Sequence, residues 1–178
     1  MPPNLRSFST GEASEDLLKQ IRTFVSEAFD GTFSEEDWNH SLGGKHVIVV
    51  EDDNVLSHAA VVERTIEVAG RLFRTGYLEG VATTPGRHGE GLGSMVVAEA
   101  TRSVTDGFEL GTLSTDRHSF YARLGWERWV GPSFVRRGAE KMRTEQDDDG
   151  LMVLRFGPSE VIDLAAPISC EHRSGDVW

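Results

Sequence analysis

The stretch on either side of Pro85 limits the fold more than any other. LFRTGYLEGVATT (72–84) reads as a strand, Pro85 breaks it, and GRHGEGLG (86–93) follows as a glycine-rich loop. SMVVAEATRSV (94–104) then sets Val96, Val97, Ala100 and Val104 on one side of a helix. The first N–H groups of such a helix are unsatisfied and lie at the positive end of its dipole, an arrangement that binds phosphate. Gly89, Gly91 and Gly93 remove side chains that would hold a pyrophosphate away. The loop fits neither familiar nucleotide motif. Counted from Gly86, the second glycine of G-x-G-x-x-G falls on His88; counted from Gly89, the last falls on Ser94. No Gly-Lys-Ser/Thr of a Walker loop follows. On pattern alone, a glycine-rich turn without a ligand stays open.

The elements around this unit define a fold class. SEDLLKQIRTFVSEAFD (14–30) places Leu17, Leu18, Ile21, Phe24, Val25, Ala28 and Phe29 on one helical stripe, with Ser14 as cap and Gly31 after the end. Ser34 and Asp37 form a near capping box for a second, short helix closed by Gly43-Gly44. HVIVVED (46–52), VLSHAAVVERTIEV (55–68) and residues 72–84 make an antiparallel meander, turned at Asp52-Asp53-Asn54 and Ala69-Gly70-Arg71. Past the glycine loop and its helix come a strand at ELGTLST (109–115), a short helix over 116–124, and strands at WERWV (126–130) and LMVLRF (151–156). The acidic run DDDG (147–150) between the last two reads as loop. No repeat or linker interrupts the order, and antiparallel strands ahead of the mixed remainder make the chain α+β. A single domain over 1–178 is expected.

Charge and cysteine content remove several function classes. A net charge of −11 repels a phosphate backbone and favours a cationic ligand, so nucleic acid is not expected as a partner. Cys170 is the one cysteine, so an intramolecular disulfide and cysteine-only metal sites are excluded. The six histidines show no i, i+4 ligand pair with a carboxylate base, and DDDG lacks the EF-hand glutamate, Pro158 standing there instead. No metal is expected. With no membrane-length apolar run and no signal-peptide centre in MPPNLRSFST, the chain reads as cytoplasmic.

Placed after a long strand that ends a meander, HGEGLG (88–93) resembles the Arg/Gln-x-x-Gly-x-Gly/Ala loop of the GNAT superfamily. In that superfamily the loop holds the pyrophosphate of acetyl-coenzyme A. His88 stands where the family usually has Arg or Gln, with Arg87 one residue early. DWNHSLGGKH (37–46), GYLEGVA (76–82), LGTLS (110–114), FYARLGWERWVGP (120–132), DDDG and CEHRSGDVW (170–178) together resemble the aminoglycoside 2′-N-acetyltransferases. The likeness implies a GNAT fold: a mixed central sheet with an antiparallel N-terminal meander and helices on both faces. It also implies acetyl transfer from acetyl-coenzyme A to an aminoglycoside 2′-amine, which confers antibiotic resistance.

The resemblance assigns residues as well. Glu79, alone an outward-facing strand carboxylate, becomes the base that acts through water on the amine. Tyr121, alone a core aromatic, becomes the acid that protonates the departing thiolate; its reference pKa of about 10 suits that task. The Val81 backbone amide binds the thioester carbonyl. Arg87, Gly89, Gly91, Gly93 and Ser94 hold the pyrophosphate, with His88 as a weaker member. Asp37, Asp148, Asp176 and the α-carboxylate of Trp178 receive the polyamine sugar, although each alone reads as a solvated charge. The family commonly has Gly-Asp-Phe where this chain has Gly31-Thr32-Phe33. Thr32 removes one anionic contact and points to a kasugamycin-like substrate with fewer amines. Family members often pair, which leaves a homodimer open. Two other readings remain: a GNAT enzyme acetylating a peptide or polyamine, and a non-catalytic acyl-coenzyme A-binding module.

Overall fold

The computed structural model describes residues 2–178. Its contacts group into two units, Met1–Val62 with Leu78–Ser103, and Glu63–Tyr77 with Val104–Trp178. Strand β3 (Asn54–Val68), strand β4 (Arg71–Thr83) and helix α3 (Leu92–Gly107) contribute residues to both.

In the first unit, β1 (Asn4–Ser9) pairs antiparallel with β2 (Lys45–Glu51), and β2 pairs antiparallel with β3 in a register that places His46 opposite Ala60 and Ile48 opposite His58. The end of β4 lies beside β3: the Thr84 amide donates to the Leu56 carbonyl at 2.8 Å and the Ser57 hydroxyl to the Ala82 carbonyl at 2.8 Å. Helix α1 (Glu15–Ala28) begins where expected, with the Ser14 hydroxyl accepting from the Leu17 amide at 3.2 Å. Its apolar stripe packs Ile21 and Val25 against Ile48, Val55, Ala82 and Trp38, with Leu17, Leu18, Phe24 and Ala28 at the margin. Fully burying Ile21 and Val25 contributes about 2 kcal/mol each. Helix α2 (Glu35–His40) closes the Ser34–Asp37 capping box.

In the second unit the strand order is β6-β9-β5-β4-β3-β10-β7-β8, where β5 is Leu110–Ser114, β6 Glu127–Arg128, β7 Ser133–Arg137, β8 Glu140–Arg143, β9 Leu151–Arg155 and β10 Ile168–Glu171. β4 runs parallel to β5, and β10 parallel to β7; β5–β9, β6–β9, β3–β10 and β7–β8 are antiparallel. The sheet is thus mixed and the chain α+β, as the element order indicated. Helix α4 (His118–Ala122) follows β5.

The structure also corrects several boundaries. The strand expected over 126–130 shrinks to Glu127–Arg128, because the Trp129 amide bonds to the Leu151 carbonyl while Val130 turns to the Leu164 carbonyl. DDDG is the end of a 3-10 helix, Glu145–Gly150, rather than loop. β1, β7, β8 and β10 had no sequence signal. β1 and β8 are exposed strands rich in polar residues, and β10 is only four residues long.

Candidate active site

Strand β4 carries Glu79 and Val81, both half-buried, and leads directly into the glycine loop. Gly80 between them has φ +56, a left-handed value that a regular strand does not contain. A Cβ there would also come within 3.1 Å of the Ser41 hydroxyl and 3.4 Å of the His58 ring. Both the backbone angle and the tight space favour glycine, and the strand is kinked at the residue separating the candidate base from the candidate oxyanion donor.

The loop then turns on Thr84, whose carbonyl accepts from the Arg87 amide at 3.0 Å. Gly89 and Gly91 have φ +88 and +84, and the first helical bond of α3 runs from the Met95 amide to the Gly91 carbonyl at 3.0 Å. Leu92, Gly93 and Ser94 therefore occupy the first turn, where N–H groups lack an intrahelical acceptor. Loop and helix start together offer the backbone donors that a pyrophosphate needs. The Arg87 side chain is engaged locally. Its Nε donates to both Glu90 carboxylate oxygens at 2.7 Å, and Nη1 donates to Glu51 at 3.0 Å. His88 is exposed, with Nε2 3.3 Å from the Thr83 carbonyl.

Elsewhere in this unit, the Thr32 hydroxyl donates to the Phe29 carbonyl at 2.7 Å and closes the turn after α1. Asp37 accepts from the Ser34 amide and hydroxyl, both at 2.8 Å and both at Oδ2. Thr32 lies in the α1–α2 connection and Asp37 in the first turn of α2.

In the second unit Tyr121 lies in α4, buried and edge-on to Trp126 at 6.4 Å between ring centroids. Burial drives its phenol pKa up, with Arg117 opposing and Asp116 adding to the rise, so the hydroxyl keeps its proton. A protonated phenol can give up a proton but not take one.

Asp148 and Trp178 are linked by hydrogen bonds. The Trp178 indole N–H donates to the Thr144 hydroxyl at 3.0 Å, Thr144 Oγ1 is 2.7 Å from the Ser133 hydroxyl, and Ser133 Oγ donates to Asp148 Oδ1 at 2.7 Å. Asp148 also forms a two-oxygen ion pair with Arg143, which chiefly holds its pKa down at about 2. The Val177 carbonyl accepts from the buried Arg64 at 2.8 Å and from Cys170 Sγ at 3.2 Å. Asp176 is exposed and its carbonyl accepts from Arg173 at 2.8 Å.

Sequence reasoning missed Asp147. Its carboxyl is pushed above the usual range by burial first and then by the neighbouring charge of Asp176. It also missed Ser133 and Arg143, which hold Asp148, and Thr144 and Arg64, which hold the Trp178 indole and the Val177 carbonyl. The β7–β8 hairpin that brings Ser133 to Thr144 had no signal, so nothing in the sequence could have paired them. Among the described residues, no group of three or more His, Cys, Asp or Glu side chains is placed to hold a metal ion. No helix among them is long and apolar enough to cross a membrane.

A family model described as an acetyltransferase (GNAT) domain matches residues 10–129. The chain is 36% identical to an aminoglycoside 2′-N-acetyltransferase of Mycolicibacterium fortuitum over 177 residues, covering 97% of this chain and 91% of that one. A GNAT family N-acetyltransferase from Escherichia coli, solved in complex with CoA, superposes with a TM-score of 0.67 at 17% identity, covering 97% of this chain and 93% of that one. A GNAT family acetyltransferase from Brucella melitensis, solved with acetyl-CoA, gives 0.61 at 18% identity, covering 93% and 94%.

Proposed function

The chain belongs to the acetyltransferase (GNAT) family, and from that premise we propose that it transfers the acetyl group of acetyl-coenzyme A to the 2′-amine of an aminoglycoside. The likeness to the Mycolicibacterium fortuitum enzyme, which runs through 97% of this chain, carries the choice of acceptor. The acidic residues Asp147, Asp148 and Asp176 add to it, because a polyamine sugar is a multiply charged cation.

The amine nitrogen attacks the thioester carbonyl, and a C–N bond forms while the carbonyl oxygen becomes an oxyanion. The Val81 N–H stabilises that oxygen. Glu79 takes the proton lost by the nitrogen, through an intervening water. The C–S bond then breaks, and Tyr121 gives its proton to the departing thiolate. Amides of the Gly89–Ser94 segment hold the pyrophosphate through the helix dipole and their unsatisfied N–H groups. Arg87, held by Glu51 and Glu90, supports the loop more than it offers a free cation. Thr32, in place of a carboxylate, leaves the acceptor site one charge short and favours a substrate with fewer amines, such as kasugamycin.

Thiol release from acetyl-coenzyme A tests the reading, using drug pairs that differ only in a 2′-amino or 2′-hydroxyl group, with kasugamycin alongside. Turnover confined to 2′-amino members is the expected result. Release with a peptide or polyamine but no drug would transfer the activity to another amine, and coenzyme A binding without any release would make the chain a binding module.

A further inference from the structure

Two buried histidines in the first unit have no part in the chemistry above, yet they end on its most constrained residue. His58 Nδ1 lies 2.7 Å from the Gly80 carbonyl, His58 Nε2 lies 3.0 Å from His46 Nδ1, and His46 Nε2 lies 2.9 Å from the Thr10 hydroxyl. The Gly43 amide donates to that hydroxyl at 3.0 Å. Both rings are fully buried, and their planes are tilted by 36°.

The direction of every bond follows from its last acceptor. A carbonyl oxygen can only accept, so His58 carries its proton on Nδ1. In a neutral ring Nε2 then accepts, so His46 donates from Nδ1 and accepts at Nε2 from Thr10. The Thr10 hydroxyl also lies 3.2 Å from the Gly44 carbonyl, but an Nε2 that must accept at the shorter 2.9 Å takes its single proton, and one donor chain results: Gly43 N–H to Thr10, Thr10 to His46, His46 to His58, and His58 to Gly80. Each member polarises the next in a low-dielectric interior. A second proton on either ring would put a donor where the chain needs an acceptor. Burial prevents this, holding His46 down at about 4 and, with the neighbouring His46 adding to burial, His58 down at about 3.

We propose that His58 is a positioning residue for acyl transfer: by holding the Gly80 carbonyl it fixes the kink that aims the Glu79 side chain and the Val81 amide. Gly80 is the residue best able to flex, since glycine at φ +56 has neighbouring conformations within reach. A side-chain donor on its carbonyl, itself held by two further groups, removes that freedom. The inference rests on the acetyl-transfer reading, and its test separates the two.

Two substitutions divide the His58 bonds. His58→Asn keeps an N–H near the Nδ1 position and loses the link to His46. His58→Gln reaches the His46 end and loses the donor to Gly80. The expected result is kcat within about 3-fold of the parent for His58→Asn and a loss of about 10- to 100-fold for His58→Gln, with the KM for acetyl-coenzyme A unchanged in both. Equal kcat values for the two folded variants would overturn the proposal. Should His58→Gln fail to fold, a loss above 10-fold in folded His58→Asn would overturn it equally.

Ring ¹⁵N shifts of the parent protein supply a readout that needs no turnover. Both histidines should show neutral rings protonated at Nδ1, and the Val81 amide resonance should move in His58→Gln but not in His58→Asn. A His58 protonated at Nε2 would overturn the chain. If the parent acetylates nothing while these resonances behave as expected, the acetyl-transfer reading fails and the anchoring of Gly80 stands.

Discussion

Lowering the pH from 7 to 5 should destabilise this protein through His46 and His58 in particular. Both rings are buried and stay neutral in the folded state, with values of about 4 and about 3, whereas an unfolded histidine titrates near 6.5. The unfolded chain therefore binds more protons throughout this window, and stability falls as pH falls. The contribution is fully present above the unfolded value and is lost progressively below it. For each ring, protonation of the unfolded state at pH 5 stabilises it by roughly 2 kcal/mol relative to pH 7, so the pair costs about 4 kcal/mol. That is a large part of the 5–15 kcal/mol typical of a folded domain, and it lowers Tm by roughly 10 °C. Asp148, held at about 2 by Arg143 and Ser133, is lost only below the ordinary carboxylate value and adds almost nothing between pH 7 and 5. Thermal melts at pH 7, 6 and 5 would measure the drop, and His58→Asn should shrink it by about half. An unchanged Tm across the range, or a drop of the same size in His58→Asn, would refute the reasoning.

Two further outcomes are expected. Because burial keeps the Tyr121 phenol protonated, the kcat profile should show no decline from its ionisation up to pH 10, and Tyr121→Phe should lower kcat by about 10²- to 10⁴-fold with the acetyl-coenzyme A KM unaltered; parity of rates would remove the residue from the proton path. Asp147→Asn should raise the drug KM on the order of 10-fold without loss of stability, since it relieves repulsion from Asp176, whereas Asp148→Asn should also destabilise the protein by about 1 kcal/mol after solvent screening of its pair with Arg143. Unchanged drug KM values in both variants would take the acidic group out of substrate binding.

What was legible in the sequence was whatever repeats a period or ends in a local cap. The α1 stripe from Leu17 to Ala28, the Ser34–Asp37 box and the meander from Lys45 to Thr83 all state their form within a few residues. β1 and β8 do not, because a strand exposed along its length needs no apolar alternation, and the EKMR of β8 resembles any polar loop. β10 takes its place by pairing with β3 and β7, partners about 100 and 35 residues away in the chain, which no local pattern encodes.

The same distinction runs through the candidate site. The glycine loop was readable because glycines are a local requirement of backbone geometry, and Gly91 at φ +84 meets it. The groups that hold site residues in place were not readable, because each is distant in sequence and ordinary in type. Arg64 reaches Val177 across 113 positions, Ser133 reaches Asp148 across 15, and His58 reaches Gly80 across 22. Read alone, His58 is one more histidine in an apolar strand. Its meaning comes from Gly80, whose carbonyl must find a donor once the strand kinks there, since a buried carbonyl left unpaired costs about 1–3 kcal/mol. A positive-φ glycine between two candidate catalytic residues is therefore a sequence-level reason to look for a buried donor, even when the sequence does not say where that donor lies.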